Sequence, residues 1–132
     1  MPEVNLLAVL LCGIASMLLG GLWYSPLLFG RRWQSGAGLS DADLADGNMA
    51  LIYGLAFALS LLAAYVFGMF LGPDMPLAAC VGAGAAAGIC WVAASFGINY
   101  LFERRSLGQW LINGGYHALQ FTLFGLILGL MR

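Results

Sequence analysis

The side chains best able to do chemistry lie in one long apolar stretch near the end of the chain. Asn113, His117 and Gln120 recur there at helical spacing, so a helix places them within about 60° of one another. Amides and an imidazole donate and accept hydrogen bonds, and the imidazole can also take up a proton near neutral pH. Because polar groups are costly in hydrocarbon, this face is expected to point at protein or water.

The preceding apolar stretch offers a partner for this face. Ser95 and Asn99 share one side of a helix with Trp91, and folding about the short turn Glu103–Ser106 brings them to the depth of Asn113. The sequence therefore predicts a polar cluster between the third and fourth apolar stretches, made of Ser95, Asn99, Asn113, His117 and Gln120. On another side of the last stretch, small residues form a stripe suited to close helix packing, namely Gly114, Ala118, Gly125 and Gly129.

Three uses of the predicted cluster stay open. Interhelical polar contacts in membranes average only about 0.6 kcal/mol but set helix register, so the first use is structural pairing. The second is a hydrated path for a solute or ion, since an intramembrane ionisable residue indicates function. The third is ligation of a metal or haem by His117, which lacks a suitable carboxylate or thiolate beside it. We therefore expect no catalytic residue, no metal and no cofactor.

The composition indicates whether the predicted helices lie in water or in a lipid bilayer. The chain has 132 residues, of which 62% are hydrophobic and 8% are charged. Soluble domains have roughly 45–50% apolar and about 25% charged residues, so a soluble or disordered protein is excluded. Five basic residues and a net charge of −1 also exclude a nucleic-acid-binding protein.

The few charges divide the chain into four charge-free windows. Each is longer than the ~20 residues that cross a bilayer once, and only helices satisfy the backbone there. The windows are Val4–Gly30, Gly47–Pro73, Met75–Phe102 and Ser106–Met131. The predicted fold class is an all-α integral membrane protein, a four-helix transmembrane bundle in one domain, 1–132. Its helices are predicted at about 4–24, 48–71, 77–102 and 107–131, with a long connector, 25–47.

The segments between the windows contain turn-forming and helix-capping residues. Gly72–Pro76 opposes helix continuation, which predicts a close antiparallel hairpin of the second and third helices. Ser106 and Gln109 are typical of a capping box that opens the fourth helix. Ser40, followed by acidic residues, predicts a helix start within the long connector. Either a short separate helix lies there, or the second transmembrane helix starts early.

The basic residues predict orientation. Arg31, Arg32, Arg104 and Arg105 flank two connectors, whereas the opposite side has Arg132. The positive-inside rule places both connectors in the cytoplasm and both termini outside, with dual topology as the alternative. The same four arginines are expected to contact anionic lipid headgroups.

Aromatic and turn-forming residues mark the end of the first window. The interfacial motif Trp23, Tyr24, Ser25, Pro26 and Phe29 is typical of a membrane-interface anchor followed by a helix stop, with partner recognition as the alternative. The stretch Gly20–Trp33, with Asn99–Ser106 and Asn113–His117, resembles the bacterial membrane family catalogued as domain of unknown function 1761. This resemblance implies a small multi-helix protein, which we place in a bacterial inner membrane, and implies no activity.

The remaining motifs indicate no enzyme. The sequence has no phosphate loop, zinc motif or nucleophile elbow, and no intramembrane charge. Cys12, Cys80 and Cys90 lack a disulfide pattern and are expected to be free, buried thiols. We therefore predict a non-catalytic membrane module that binds lipid, a protein partner or further copies of itself as a homo-oligomer. The alternative is a small-solute or ion channel or transporter that uses the predicted cluster.

Overall fold

The structure, a computed structural model, describes residues 3–132, which form helices joined by turns. In chain order these residues form α1 Leu6–Trp23, α2 Gly30–Ala37, α3 Asp41–Ala45, α4 Met49–Met69, α5 Leu77–Ala86, a π-helical segment Ala87–Ala93, α6 Ala94–Glu103 and α7 Leu107–Leu130. The helices α5 and α6 and the π segment between them are continuous, and together they form the third span, Leu77–Glu103.

Four helices are long and apolar enough to cross a membrane: α1, α4, the third span and α7. Their outer surfaces carry large apolar side chains, such as Leu18, Leu62 and Leu101, which are 71%, 59% and 79% exposed. Lipid covers such a surface without cost, whereas water does not. The prediction of an all-α integral membrane protein is confirmed, and the long helices begin and end close to their predicted bounds.

Side chains cap the helix starts. Asn48 Oδ1 accepts a hydrogen bond from the backbone N–H of Leu51 at the start of α4. Ser106 Oγ accepts one from the N–H of Gln109 at the start of α7. The predicted capping box at Ser106 is only half present, because the Gln109 side chain turns away and donates to the carbonyl of Trp33.

The long connector folds into two short helices. Ser40 opens α3 with a complete capping box, in which its hydroxyl and the Asp43 carboxylate each accept from the other residue's N–H. Of the two alternatives for this region, the short separate helix is therefore the observed one. The other short helix, α2, was not predicted, and it ends at Gly38, whose φ of 71° suits a residue without a side chain.

The central helix is α7. It packs along the third span on one side and against α1 on another, and it also contacts α4, which itself packs mainly against α1. The predicted hairpin of the second and third helices is wrong, because α4 and α5 make almost no contact with each other. Instead α7 lies between them, with Leu128 against Gly68 of α4 and Gly125 against Cys80 of α5.

The core lies in the half of the bundle near the turn 70–76. Phe124 of α7 is fully buried there, and neighbouring helices surround it with small and apolar side chains. The residues of this core are Ala8, Val9, Cys12, Ala64, Phe67, Leu71, Cys80, Ala87, Phe124 and Leu128. We call this the terminal end of the bundle, and the other end, formed by residues 24–48 and 104–106, the connector end.

Glycines bring α7 and the third span into backbone contact. A Cβ at Gly84 or Gly125 would collide with a main-chain carbonyl of the facing helix, and one at Gly88 would lie 2.6 Å from the carbonyl oxygen of His117. The predicted small-residue stripe on α7 therefore packs against the third span. Such close approach replaces the hydrophobic effect as a source of helix association in lipid.

The π segment changes the face that the third span turns to α7. A π turn bonds each N–H to the carbonyl five residues back, so it absorbs one extra residue. Gly88 faces α7 within this segment, whereas Ala93 and Gly97 face it further on. Trp110 Nε1 donates to the carbonyl oxygen of Ala93 at 2.8 Å, which gives that carbonyl a partner from α7.

The cysteines are free thiols, as predicted. Cys12 and Cys80 are buried, but Cys90 is exposed on the π segment. The expectation that all three are buried is thus wrong for Cys90, which lies on the side of the third span that no other described helix covers.

Candidate functional site

Two hydrogen-bonded groups of polar side chains follow one another along α7, from the connector end to the middle of the bundle. The rings of Tyr24 and Tyr116 pack together between the two groups. We call both groups together the polar network, and it consists of Ser16, Tyr24, Ser60, Tyr100, Asn113, Tyr116, His117 and Gln120.

Asn113 forms the part of the network nearest the connector end. Its Oδ1 accepts a hydrogen bond from the hydroxyl of Tyr24 at 2.7 Å, and its Nδ2 donates to the hydroxyl of Tyr100 at 2.6 Å. One α7 side chain thereby joins the end of α1 to α6, two elements that do not pack against each other directly. Both ends of the amide are used.

Gln120 forms the deepest part and is almost fully buried, at 5% exposure. Its Nε2 lies 3.0 Å from Ser16 Oγ of α1 and 3.5 Å from Ser60 Oγ of α4. The Ser60 hydroxyl donates its own hydrogen to the carbonyl of Ala56, so it can only accept from Gln120. The amide nitrogen of Gln120 therefore faces the two serines, and three helices meet at this side chain.

His117 lies between these two parts. Its Nδ1 is 2.7 Å from Gln120 Oε1, and its ring stacks on Phe96 with centroids 5.1 Å apart and planes 15° apart. Tyr116 packs edge-on against the same ring and donates its hydroxyl hydrogen to the carbonyl of Ser16 at 2.9 Å. The imidazole is thus held on three sides by described residues.

The structure brings together only part of the predicted cluster. Asn113, His117 and Gln120 join the polar network, but Ser95 and Asn99 are exposed on the outer side of the third span. Placing these two between the third and fourth helices was wrong, because that prediction assumed one unbroken helical period. The π segment turns their face away from α7 and puts Phe96 and Tyr100 in its place.

Sequence reasoning missed several partners of the network. Ser16, Ser60 and Tyr100 do not belong to the predicted cluster. Ser60 is the one serine within α4, and a serine in a long apolar helix was the available signal. The relevant polar pairing connects α7 with α1 and α4 as well as with the third span.

The interfacial motif packs against α7 as well as ending α1. Trp23 Nε1 donates to the carbonyl of Ile112 at 2.8 Å, and the ring of Phe29 lies 4.7 Å from that of Trp23. Ser25 donates its hydroxyl hydrogen to the carbonyl of Leu22, whereas Pro26 is exposed. The motif thereby ties the start of the connector to the central helix.

The four arginines lie exposed at the connector end. Arg31 and Arg32 lie in the first turn of α2, and Arg104 follows the last residue of α6 with a φ of 59°. Arg105 is held by two neighbours: its Nε lies 2.9 Å from the Glu103 carboxylate, and its guanidinium lies 5.6 Å from the centre of the Tyr100 ring.

One buried acceptor at the connector end has no hydrogen-bond partner among the described residues. Gln109 is 3% exposed, and its Nε2 donates to the carbonyl of Trp33 at 3.3 Å, but its Oε1 is unpaired within residues 3–132. The oxygen lies directly beneath Gly36 of α2, where a Cβ would collide with it. Glycine at this position lets α2 lie close to α7.

The arrangement is chemically suited to holding helices together. Within residues 3–132, no three His, Cys, Asp or Glu side chains are grouped so that they could hold a metal ion. The network contains hydroxyls, amides and one imidazole, and its hydrogen bonds run mainly between different helices.

Comparison with known proteins identifies the family. No curated protein and no solved structure matches this chain. A family model described as a protein of unknown function, DUF1761, matches residues 7–129, which include every member of the polar network. The chain belongs to this family, DUF1761.

Proposed function

We propose that the protein is a non-catalytic membrane module in which the polar network holds α1, α4, α6 and α7 in one arrangement. The observation that carries this proposal is the pairing of Gln120 with Ser16, Ser60 and His117. A solute path needs polar groups that are free to exchange partners with the solute. Here the buried amide nitrogen of Gln120 pairs with serines of two neighbouring helices, and its oxygen pairs with His117 of the same helix.

The partners we propose are lipid and further copies of the chain. Support comes from α4, whose first half exposes Leu51, Ile52 and Leu55 by more than half of their surface. A second copy would cover this face with the same apolar chemistry that lipid offers. Mass measurement of the detergent-solubilised protein tests self-association, and a monomer at all concentrations contradicts it.

We also propose that the connector end faces the cytoplasm and that both termini lie outside, in a bacterial inner membrane. Four arginines at the connector end, against Arg132 at the terminal end, support this orientation under the positive-inside rule. Arg132 donates to the carbonyls of Gly72 and Met75, which leaves fewer of its N–H groups for lipid headgroups. Single cysteines in the connector and after Arg132 should label from opposite sides of sealed vesicles.

The test of the module against a solute path uses accessibility of the network. In a variant in which the three native cysteines are replaced, Ser60→Cys and Asn113→Cys are each treated with a charged, membrane-impermeant thiol reagent. Ala42→Cys, at an exposed position in α3 of the connector, is the positive control because it lies outside the spans. We expect labelling at 42 and protection at 60 and 113.

The opposite result would overturn the proposal. Labelling at 60 or 113 at a rate close to that at 42 would mean that water reaches the middle of the bundle. Reconstituted vesicles provide a second readout, because a module adds no leak of small ions or polar solutes above that of empty vesicles. A leak that Gln120→Leu abolishes would favour transport.

A further inference from the structure

The connector end has an open groove of about 270 Å³ between the end of α6 and the start of α7. Its walls include Leu101 and Leu107, which are 79% and 68% exposed, and its floor lies between Gly97 and Trp110. Gly97 makes the depression, since a Cβ there would lie 3.1 Å from the indole nitrogen. The groove therefore opens on the side that faces lipid.

The few polar side chains around the groove each take part in a hydrogen bond within the protein. The Trp110 indole N–H donates to the Ala93 carbonyl, and the Tyr100 hydroxyl accepts from Asn113. The Ser106 hydroxyl caps α7 by accepting from Gln109. Most of the surface inside the groove is hydrocarbon, from Leu101, Leu107 and the Trp110 ring, and it is complementary to an acyl chain.

A guanidinium stands at the mouth of this apolar groove. Arg105 lines it and is held in place by Glu103, which pairs with Nε, and by the ring of Tyr100. The two Nη groups form no hydrogen bond with the described residues, so they are the donors left for an anion. A guanidinium offers parallel N–H groups that match two phosphate oxygens. The turn 104–106 joins two spans, which places this cation at headgroup depth.

We propose that the groove binds one anionic phospholipid, with its phosphate on Arg105 and one acyl chain against Leu101, Leu107 and Trp110. This inference names a ligand site for the lipid-binding role proposed above and rests on it. The apolar walls select a lipid over a free phosphate ion, and the cation selects an anionic headgroup over a zwitterionic one.

The test measures phosphatidylglycerol bound to the delipidated full-length protein in detergent, by native mass spectrometry, with phosphatidylcholine as the reference lipid. We expect one phosphatidylglycerol per chain and about tenfold weaker binding in Arg105→Gln, the size expected for lost hydrogen bonds to a charged group. Arg31→Gln is the matched variant, because it removes the same charge at the same end but outside the groove. It should weaken binding much less.

A second pair of variants tests the acyl chain. Leu101→Asn should weaken binding of phosphatidylglycerol, whereas Leu130→Asn, 63% exposed at the opposite, terminal end of the bundle, should not. If Arg105→Gln proves unfolded by circular dichroism, Arg105→Lys keeps the charge without the paired N–H groups and should bind with intermediate strength.

Two results would overturn the inference. Equal losses in Arg105→Gln and Arg31→Gln would indicate a diffuse basic surface. Displacement of the lipid by glycerol 3-phosphate at similar concentration would indicate a phosphate site that ignores the acyl chain. Either result can occur with the polar network still protected from thiol reagents, so failure of this site and failure of the proposed function are distinguishable.

Discussion

The side-chain oxygen of Gln120 lies 2.7 Å from Nδ1 of His117, one helical turn earlier on α7. Since the amide nitrogen of Gln120 is directed at two serine hydroxyls, the oxygen is the atom that faces the imidazole. An amide oxygen only accepts, so Nδ1 of a neutral His117 carries the hydrogen and Nε2 does not. A chain of hydrogen bonds that starts at Ser60 on α4 thereby sets the tautomer of a histidine on α7.

This tautomer is the first prediction. Nitrogen NMR of protein labelled at histidine should show a protonated Nδ1 and a bare Nε2 for His117. Gln120→Met keeps the volume but removes the acceptor, so the Nε2-protonated form should then become populated. An unchanged spectrum in Gln120→Met would mean that the amide does not set the tautomer.

The same variant should also lower stability. Gln120→Met removes contacts to α1 and α4 and leaves Ser16 without its amide donor. Because polar contacts in membranes are individually weak, we expect a loss of about 1–2 kcal/mol in the free energy of unfolding. Unfolding in mixed micelles by titration with a denaturing detergent measures this. A variant as stable as the parent would show that the network contributes nothing to stability.

The close packing of α7 on the third span predicts a sharp difference between glycines. Gly84→Ala and Gly125→Ala each push a Cβ into the backbone of the facing helix, and overpacking of this kind costs about 1–3 kcal/mol. Gly82→Ala is the matched control in the same helix as Gly84, because nothing lies within 4 Å of a Cβ there. The control should be neutral or slightly stabilising, since alanine favours helix. Thermal unfolding in detergent compares the three.

The indole of Trp110 is predicted to hold the π segment. Trp110→Phe keeps an aromatic ring but leaves the Ala93 carbonyl without its donor from α7. We expect a loss of about 1 kcal/mol and faster amide hydrogen exchange within residues 87–97. Trp91→Phe is the control, because Trp91 is 70% exposed on the outer side of the same segment. Equal effects of the two changes would argue against this role.

Acidification should act on α3 before it acts on the bundle. Hydrogen bonds from the backbone N–H and the hydroxyl of Ser40 hold the pKa of Asp43 below its ordinary value. A depressed folded pKa means that the capping box is fully formed above the unfolded pKa and is lost as the pH falls through the folded one. Amide protection in α3 should therefore drop below about pH 4. Asp43→Asn should abolish this pH dependence.

Much of the fold was predictable because lipid allows few alternatives. Charges such as Arg31 and Glu103 mark the ends of charge-free windows, and these windows were enough to predict the four long helices. Which helices pack together was not predictable in this way. The turn Gly72–Pro76 joins α4 to α5, but glycines on α7 allow a closer approach to α5 than α4 makes.

The candidate site was predictable on one helix only. A regular period was enough to group Asn113, His117 and Gln120 on α7, where the helix is unbroken. The helical period misplaced Ser95 and Asn99, because nothing in the apolar sequence of Ala87–Ala93 marks the π turn. One residue of displacement rotates a helix by 100°, which is enough to exchange the inner and outer faces.

The third span contains one residue more than a regular α-helix of the same length would have. Its two halves, α5 and α6, both pack against α7, and the π turn between them accommodates the additional residue. Deleting the exposed Cys90 should therefore shorten the span to a continuous α-helix while both halves keep their present neighbours. Converting the π segment to a regular α-helix without a deletion would instead rotate α6 and turn Ser95 and Asn99 toward α7. The rotation of α6 relative to α5 therefore depends on this one additional residue.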